Sequence, residues 1–274
     1  MVSPEERAHF TRAGWLRRGG FFGPEAIARI RGAVEALGAA AARRLSGGPQ
    51  EDLPGLVVVP ELEDPGAVCR YEYVLGSHPA LRELLLELLA PAVSELAGEP
   101  FIPFKDKVNE KRPGGGAYRA HQDIVAYRAF GPRAHMTAMV SVDPATQENG
   151  ALLVAEGYRI FAHMNPWDVV ETLQGRPVLR SHQGGERHGD VHADIARRMH
   201  WRPLETRPDE LVLFDSFVPH RSEVNRSKSS RRALFVTFSA AREGDWYERY
   251  YEEKRRSPLD PKFHVSTPTR HTLL

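Results

Sequence analysis

The stretch DELVLFDSFVPHRSEVNRSKSSRRALFVTFS, residues 209–239, holds two apolar runs separated by a polar segment. The runs LVLFD and ALFVTFS are short and rich in Val, Leu and Phe, which is typical of buried strands. A Pro-His pair follows the first run closely, and two arginines directly precede the second. The pattern predicts two strands, with His220 at the end of the first and Arg231 on the second.

The rest of the chain divides into a helical part followed by more short apolar runs. Capping and proline signals, together with helical spacing of apolar residues, predict helices that begin near Ser3, Pro24 and Pro79. Further strands are predicted in FIPFKDKVNEKRP (101–113), RAHMTAMVSVD (133–143) and GALLVAEG (150–157). Helices first and then many short strands predict an α+β fold whose strands form a sandwich or jelly roll.

A chain of 274 residues is long enough for one domain, and we expect a single domain over residues 1–274. Residues 1–99 are expected to be mainly helical support packed on one sheet, 100–240 the jelly-roll core, and 241–274 a C-terminal helix and tail. The polar stretch at about 158–206 is rich in His, Arg and Gly. It is expected to be a long loop inserted between strands, a kind of segment that often acts as a lid or binding loop.

Composition excludes several classes of partner. The chain has 37 basic and 36 acidic residues, a formal net charge of +1 and no polybasic block, so neither nucleic acid nor an anionic membrane is expected. A single cysteine, Cys69, leaves no intrachain disulfide and fits a reducing cytoplasm. The N-terminal residues lack the apolar run of a signal peptide, so we expect a cytoplasmic protein.

The stretch YRAHQDIVAY, residues 118–127, places His121 and Asp123 one residue apart. In an alternating strand two such residues point to the same side, so they suit two ligands of one metal. With His220 they complete the two-histidine, one-carboxylate set that holds Fe(II) by one face and leaves three positions open. For the pair alone, two polar residues at a strand end remain an alternative interpretation.

Two further residues favour the metal site. Arg231 lies 11 residues after His220 and offers a bidentate fork for a carboxylate, while Ser222 can add a hydroxyl to the same oxygens. The cosubstrate 2-oxoglutarate requires this combination, because its keto-acid end chelates iron while its distal carboxylate needs a cation. The residues therefore predict an Fe(II)- and 2-oxoglutarate-dependent oxygenase with dioxygen as cosubstrate.

Several stretches in order along the chain carry a family resemblance. They are HFTRAGWLRRGG (9–20), VNEKRPGGGAYRAHQD (108–123), ENGALLVAEG (148–157) and PHRSEVNRSKSSRRALFVTF (219–238). In these the chain resembles the phytanoyl-CoA dioxygenase family of Fe(II)/2-oxoglutarate oxygenases. The resemblance implies a double-stranded β-helix, the cupin-like form of the jelly roll, and the activity predicted above.

The resemblance also implies roles for individual residues. It makes His121, Asp123 and His220 the iron ligands, and Arg231 with Ser222 the 2-oxoglutarate clamp. Arg232 replaces Arg231 if the register slips by one. Three more residues are implied around the cosubstrate and the first ligand, namely Asn109, Tyr118 and Thr137. The segment AEGYRIF, 155–161, departs from the family's usual turn and alters the edge of the site.

Within the family the chain is most similar to aminophosphonate dioxygenases, through FKDK-x-N-x-K-x-PGG and the C-terminal EGD and YYEEKR segments. Similar sequences also occur among enzymes that oxidise aminocyclitol and aminoglycoside natural products. The abundant Ala, Arg, Gly and Pro suggest a GC-rich bacterial source, which favours antibiotic biosynthesis and secondary metabolism. The insertion at about 158–206 is in turn expected to be able to cover a bulkier substrate of this second kind. Either class implies a small to medium, polar substrate and either hydroxylation or oxidative ring closure.

Four more residues are candidates for substrate contact. Lys105 and Lys107 share a face with Asn109 by strand periodicity, and they either bind an anionic substrate or form a charge pair on an exposed edge. Tyr127 and His135 follow the ligand pair and either line the pocket or pack in the core.

Two other functions stay open. One is a cupin-like metalloenzyme, an isomerase or dioxygenase, that does not use 2-oxoglutarate; it predicts that Arg231 points to solvent. The other is a catalytically inactive binding protein on the same scaffold, which has no physical need for three metal ligands in register. The sequence leaves the oligomeric state undetermined.

Overall fold

The computed structural model describes residues 1–48, 53–61, 64–257 and 260–263. Its helices are α1 (Pro4–Ala13), α2 (Pro24–Leu45), α3 (Val74–Ser77), α4 (Pro79–Ala97), α5 (Ile124–Tyr127), α6 (Tyr158–Met164), α7 (Ala193–Arg198) and α8 (Tyr247–Arg256). Its strands are β1 (Trp15–Arg18), β2 (Val57–Pro60), β3 (Val68–Glu72), β4 (Phe101–Lys111), β5 (Tyr118–His121), β6 (His135–Ser141), β7 (Leu152–Glu156), β8 (Val169–Leu173), β9 (Arg176–Leu179), β10 (His200–Leu204), β11 (Leu211–Asp215), β12 (His220–Ser222) and β13 (Arg231–Ala240).

The three helix starts expected from capping and proline signals are confirmed. At α1 the Glu6 amide donates to Ser3 Oγ at 3.1 Å, and the Ser3 amide donates to Glu6 Oε2 at 2.8 Å. This reciprocal capping box satisfies two backbone donors that the helix itself leaves free. The helices α2 and α4 both begin with proline at their first position.

Two antiparallel sheets face each other. The large sheet has the strand order β1-β11-β6-β13-β4-β3-β2, and the small sheet has the order β10-β7-β12-β5. From β4 to β7 and again from β10 to β13, the chain alternates between the large and the small sheet at each step. This winding of eight strands into two sheets is the double-stranded β-helix, so the predicted fold class is confirmed.

Strand alternation divides the large sheet into two faces. On β13, Leu234, Val236 and Phe238 belong to the core shared with α2 and α4, whereas Ala233 and Phe235 belong to the core between the sheets. The helices therefore cover the outer face. The inner face is left for the small sheet and for polar side chains.

The N-terminal region supplies strands as well as helices. β1 extends one edge of the large sheet by pairing with β11, and β2 with β3 extends the other edge beyond β4. Residues 1–99 thus contain the expected helical layer together with three strands. These strands cover sheet edges that would otherwise present unpaired backbone groups.

The predicted insertion is folded and ends earlier than expected. β10, which begins at His200, pairs with β7, so the inserted segment is 157–199 and not about 158–206. It contains α6, the β8–β9 hairpin and α7, and it buries Val178, Leu179 and Ile195 in the core between the sheets. Burial of these apolar side chains explains why the segment forms regular structure although its composition is polar.

The C-terminal segment packs on the large sheet through α8, which buries Tyr247, Tyr250, Tyr251 and Lys254. The tail predicted to follow this helix lies, from residue 264 onward, outside the described residues. In the described part of the chain, no helix combines the length and apolar character needed to cross a bilayer.

Candidate active site

Strand pairing brings the two histidines together. β12 pairs with β5 so that His220 lies opposite His121, and the centroids of the two imidazole rings are 4.2 Å apart. Both side chains are buried, with 7% and 5% of their surface exposed. The two residues are distant in sequence, and their proximity is a consequence of antiparallel register.

Asp123 reaches the same point by a route that strand alternation did not predict. β5 ends at His121, and Asp123 has the helical backbone angles of a residue that begins α5. Its Oδ1 atom lies 3.9 Å from His121 Nε2 and 4.0 Å from His220 Nε2. One ligand atom from each of the three residues falls within 4.8 Å of the others, a separation that suits a common metal ion.

Main-chain carbonyls set the orientation of both imidazoles. His121 Nδ1 bonds with the Arg119 carbonyl at 2.7 Å, and His220 Nδ1 bonds with the Val218 carbonyl at 3.0 Å. Because Nδ1 carries the proton in each bond, Nε2 keeps its lone pair for a metal. Burial, together with the neighbouring His220, lowers the pKa of His121 to about 3, so this imidazole is neutral at physiological pH.

Gln122, between the two ligands, was missed by sequence reasoning. Its side chain is fully buried and points away from the triad. The amide nitrogen donates to the Pro177 and Phe217 carbonyls at 3.0 and 2.5 Å, and the amide oxygen accepts from the Leu179 amide at 2.8 Å. Gln122 thus ties the ligand turn to β9 and to the loop before β12. Nothing in its residue type or spacing distinguishes it from a solvent-facing glutamine.

Arg231 and Ser222 lie in the same cavity as the triad. Arg231 is buried, its Nη2 donates to the Gly150 carbonyl, and its Nε has no hydrogen-bond partner among the described residues. Burial lowers the pKa of Arg231 to about 10, which still leaves the guanidinium charged at neutral pH. Arg232, the alternative to Arg231, lies on the outer face, where its Nε and Nη2 both bond with the Asp143 carboxylate at 2.8 Å.

Lys111 is a second cation in this corner, and sequence reasoning missed it as well. Its Nζ donates to Ser222 Oγ at 2.8 Å and also to the Glu223 carbonyl. The signal was available, because Lys111 continues the i, i+2 series of Lys105, Lys107 and Asn109 along β4. We call Arg231, Ser222 and Lys111 the arginine corner.

The remaining residues predicted near the cosubstrate line the same cavity. Asn109 is buried, and its Oδ1 has no hydrogen-bond partner among the described residues. The Tyr118 hydroxyl lies 3.4 Å from Cys69 Sγ, and Thr137 Oγ1 lies 2.9 Å from Thr237 Oγ1. The structure therefore brings together all eight residues predicted for metal and cosubstrate.

Three of the four candidate substrate residues lie beside the triad. Lys107 and Tyr127 line the cavity just described, and with Lys105 they also line a second, adjoining space. Since β4 lies inside the large sheet, the alternative of an exposed edge pair is wrong for these lysines. His135 lines neither space. It packs between the rings of Phe104 and Tyr127, with a centroid distance of 4.9 Å to each, as a core residue.

The inserted segment contacts β5, the strand that ends at the first metal ligand. The Val191 amide donates to the Ala120 carbonyl at 2.7 Å, and Arg119 forms an ion pair with Asp190 at 3.2 Å. Among the described residues, none from 157–199 lines the cavity around the triad. The expectation that the insertion covers a bulky substrate therefore finds no support in the lining.

Charge is distributed unevenly around the cavity. Asp123 is its one acidic lining residue among those described, and four basic side chains also line it, namely Lys107, Lys111, Arg221 and Arg231. Two metal-facing imidazoles, one carboxylate and this excess of cations suit a metal ion together with anionic ligands.

The chain belongs to the phytanoyl-CoA dioxygenase (PhyH) family, whose family model matches residues 10–233. Over 189 residues it is 40% identical to 2-aminoethylphosphonate dioxygenase of uncultured bacterium HF130_AEPn_1 and 37% identical to methylphosphonate hydroxylase of Gimesia maris. Each alignment covers 69% of this chain and 65% of the relative, so the chain spans just under two thirds of these relatives.

A solved structure shares the fold. The crystal structure of EctD from S. alaskensis with 2-oxoglutarate and 5-hydroxyectoine has a TM-score of 0.67 at 18% sequence identity. The superposition covers 88% of this chain and 77% of that chain. This likeness supports the fold, while the match of the family model confirms the family predicted from the sequence motifs.

Proposed function

We propose that this chain is a non-haem Fe(II)- and 2-oxoglutarate-dependent oxygenase that oxidises a C–H bond of a small polar metabolite. The observation that carries the proposal is the burial of Arg231 in the same cavity as His121, Asp123 and His220. A triad of this type serves several chemistries. A triad with a buried guanidinium beside it suits a keto acid that carries a second carboxylate.

The residues present fit both groups. Two imidazole nitrogens with fixed tautomers and one carboxylate are the donor set that non-haem ferrous iron takes. In the arginine corner, Arg231 Nε lacks a hydrogen-bond partner among the described residues, and a buried donor of this kind is costly unless a ligand accepts from it. A carboxylate bound there would accept from Arg231 Nε while Ser222 and Lys111 contact its other oxygen.

Each group of residues has a separate task. Iron, 2-oxoglutarate and dioxygen together supply the oxidation of the C–H bond when they are bound. His121, Asp123 and His220 hold the ion, and the arginine corner holds and neutralises the distal carboxylate. Asn109 and Tyr118 orient the cosubstrate between them. The apolar lining residues Leu152, Phe214 and Phe235 limit the access of water.

An aminophosphonate is the substrate class that we favour. The names of the two relatives refer to phosphonates, and the basic lining of the cavity supports an anionic substrate. An aminocyclitol or aminoglycoside-type product of secondary metabolism is the other candidate. The insertion does not support this candidate, because none of its described residues lines the cavity and so none is placed to cover a bulky substrate. The name of the second relative supports hydroxylation over ring closure.

The alternative without 2-oxoglutarate, a cupin-like isomerase or dioxygenase, predicts a solvent-facing Arg231. Arg231 is only 4% exposed, which supports the oxygenase.

The experiment that tests the proposal is an anaerobic titration of metal-free protein with Fe(II) and then 2-oxoglutarate. Chelation of a keto acid to ferrous iron gives a visible charge-transfer band, and we expect this band in the wild type. The variant His121→Ala should lose the band together with iron binding. Arg231→Ala should keep the iron and weaken 2-oxoglutarate binding by tenfold or more, the loss of roughly one charge-assisted bond.

The matched control is Arg232→Ala, which removes the neighbouring guanidinium on the outer face and should leave the band unchanged. Iron binding without a band in the wild type would overturn the use of 2-oxoglutarate and favour the cupin-like function. An unchanged 2-oxoglutarate affinity in Arg231→Ala would overturn the assignment of the clamp.

A further inference from the structure

A second space adjoins the triad on the side away from the arginine corner. Lys105 and Lys107 line it together with Tyr127, Tyr250, His121 and Asp123, and we call it the lysine chamber. The Lys105 Nζ lies 5.4 Å from the ring centroids of both Tyr127 and Tyr250. The Lys107 Nζ lies 5.3 Å from the centroid of Phe235. The buried Lys105 is therefore held by two aromatic faces and the half-buried Lys107 by one.

Among the described residues, neither ammonium group is bonded to an anion. The carboxylates of Glu72 and Asp123 act on Lys105 and Lys107 through space only, without a hydrogen bond or an ion pair. Lys105 is only 8% exposed, and buried lysines are rare unless a charge or hydrogen bond compensates them. Burial lowers the pKa of both groups, that of Lys107 to about 8. The chamber thus carries positive charge without a bonded counter-ion among the described residues.

The carboxylate of Glu72, which also lines the chamber, is already engaged. Both of its oxygens accept from Lys254 Nζ at 2.7 Å, and Oε1 also accepts from Arg70 Nε at 2.9 Å. Asp123 belongs to the metal triad. Two positive charges consequently remain available for a ligand in the chamber.

The two basic ends of the cavity are well separated. Lys105 and Lys111 are six positions apart on β4, roughly 20 Å at the rise of an extended strand. His121 and Asp123 line both spaces, so the metal ligands lie between the two ends. Lys107 lies between the two ends, since it also lines the cavity of the arginine corner and its Nζ is 6.0 Å from the Tyr118 ring centroid, against 5.6 Å for Lys111 Nζ. Lys105 therefore marks the end that the carboxylate bound by the arginine corner does not reach.

We propose that Lys105 and Lys107 form the subsite for a doubly charged anionic group of the substrate, a phosphonate or phosphate, and that this pair sets the charge class of substrate accepted. Two ammonium groups two positions apart on one strand face match the charge of one such group. Because His121 and Asp123 line the same chamber, a carbon attached to the bound anion would lie next to the triad. This inference rests on the proposed function, which assigns the arginine corner to 2-oxoglutarate.

The test uses methylphosphonate as the probe and acetate as a singly charged comparison. Each is titrated by calorimetry into metal-free protein, and under anaerobic conditions into protein loaded with Fe(II) and 2-oxoglutarate while the charge-transfer band is followed. We expect methylphosphonate to bind at least tenfold more tightly than acetate. Lys105→Gln and Lys107→Gln should each weaken methylphosphonate at least tenfold, and Lys105→Gln, which lies outside the cosubstrate cavity, should leave the 2-oxoglutarate titration unchanged.

Lys111→Gln is the matched control, since it removes a lysine from the same strand at the other end. It should weaken 2-oxoglutarate and spare methylphosphonate. Thermal melting of each variant shows whether it is folded, and only folded variants are compared. Equal affinities for both probes, or methylphosphonate binding unaffected in both chamber variants, would overturn the inference. A missing charge-transfer band in the wild type would instead overturn the proposed function. The calorimetric titration of metal-free protein does not depend on this band, so the two failures can be told apart.

Discussion

The two ends of the cavity hold their positive charges in different ways. In the arginine corner, Arg231 bonds with the Gly150 carbonyl, and Lys111 bonds with Ser222 and with the Glu223 carbonyl. In the lysine chamber, the ammonium groups of Lys105 and Lys107 lie over aromatic rings and form no hydrogen bond or ion pair with the described residues. The cations of the arginine corner are thus oriented by hydrogen bonds before any ligand binds, whereas those of the lysine chamber have no such bonds among the described residues.

This difference matches two kinds of ligand. A cosubstrate that is the same in every turnover is served by a rigid, pre-oriented clamp. A subsite whose charges are compensated only by its ligand discriminates through that ligand's charge, because a neutral or cationic molecule leaves buried ammonium groups unpaired. The arginine corner is thus expected to determine cosubstrate binding and the lysine chamber to determine substrate choice.

The largest effect is expected from Asp123→Ala, which removes the anion between the two ends. Iron affinity should fall by roughly 100-fold or more, since mutation of a residue that only hydrogen-bonds to a metal ligand already lowers metal affinity by about 10- to 100-fold. The lysine chamber should bind methylphosphonate at least as tightly as before, because the loss of a nearby negative charge strengthens the attraction of its cations for an anion. Anaerobic equilibrium dialysis with iron analysis, beside calorimetry, measures both. Retention of iron at wild-type affinity would remove Asp123 from the triad.

A smaller effect, confined to the arginine corner, is expected from Gly150→Ala. Gly150 has φ +78°, and an added Cβ would lie 2.5 Å from the Glu223 carbonyl oxygen and 2.8 Å from Lys111 Cδ. The left-handed backbone costs about 1–2 kcal/mol for a non-glycine residue, and the contacts add about 1–3 kcal/mol by overpacking. Chemical denaturation measures the loss, and 2-oxoglutarate should bind more weakly.

Gly157→Ala is the matched control for this variant. Gly157 also has a positive φ, +67°, but a Cβ there meets no atom within 4 Å. It should therefore lose only the backbone contribution and keep its affinity for 2-oxoglutarate. If both variants lost the same free energy of unfolding, the arginine corner would tolerate the displacement of Lys111.

The smallest effect is expected from Lys105→Met, and it has the opposite sign. Replacing a buried, uncompensated ammonium with an apolar side chain should stabilise the ligand-free protein by about 1 kcal/mol, part of the gain being offset by lost cation–π contacts. Such a change raises Tm by about 2–4 °C in a protein of this size. Lys228→Met, at an exposed lysine, is the control and should leave Tm unchanged.

The pH dependence of that gain is a further check on its cause. Burial lowers the pKa of Lys105 in the folded protein, so the unfolded chain binds the proton more tightly. The destabilisation that Lys105 causes is complete below its folded pKa and fades as the pH rises toward 10.5, the ordinary lysine value. The difference in Tm between wild type and Lys105→Met should shrink over the same range. A difference independent of pH would point to packing instead of charge.

Much of the fold was predictable because its signals are local. Proline and serine at helix starts, and the short apolar runs of β4, β6, β11 and β13, act within a few residues of where they stand. The inserted segment was harder to predict. Its composition is polar, and its structure depends on burying a few apolar residues against strands that are distant in sequence.

The sequence by itself determined the residue types of the site and hence its chemistry: His121, Asp123 and His220 for a metal, and Arg231 for a carboxylate. Only the tertiary structure decided how they meet. The register of β5 against β12 sets His220 opposite His121, and a helical turn brings in Asp123. It also decided that Lys111 is hydrogen-bonded while Lys105 and Lys107 have no hydrogen bond to any residue that the structure describes. The partners of a buried charge come from strand pairing across long stretches of chain, which local sequence patterns do not encode.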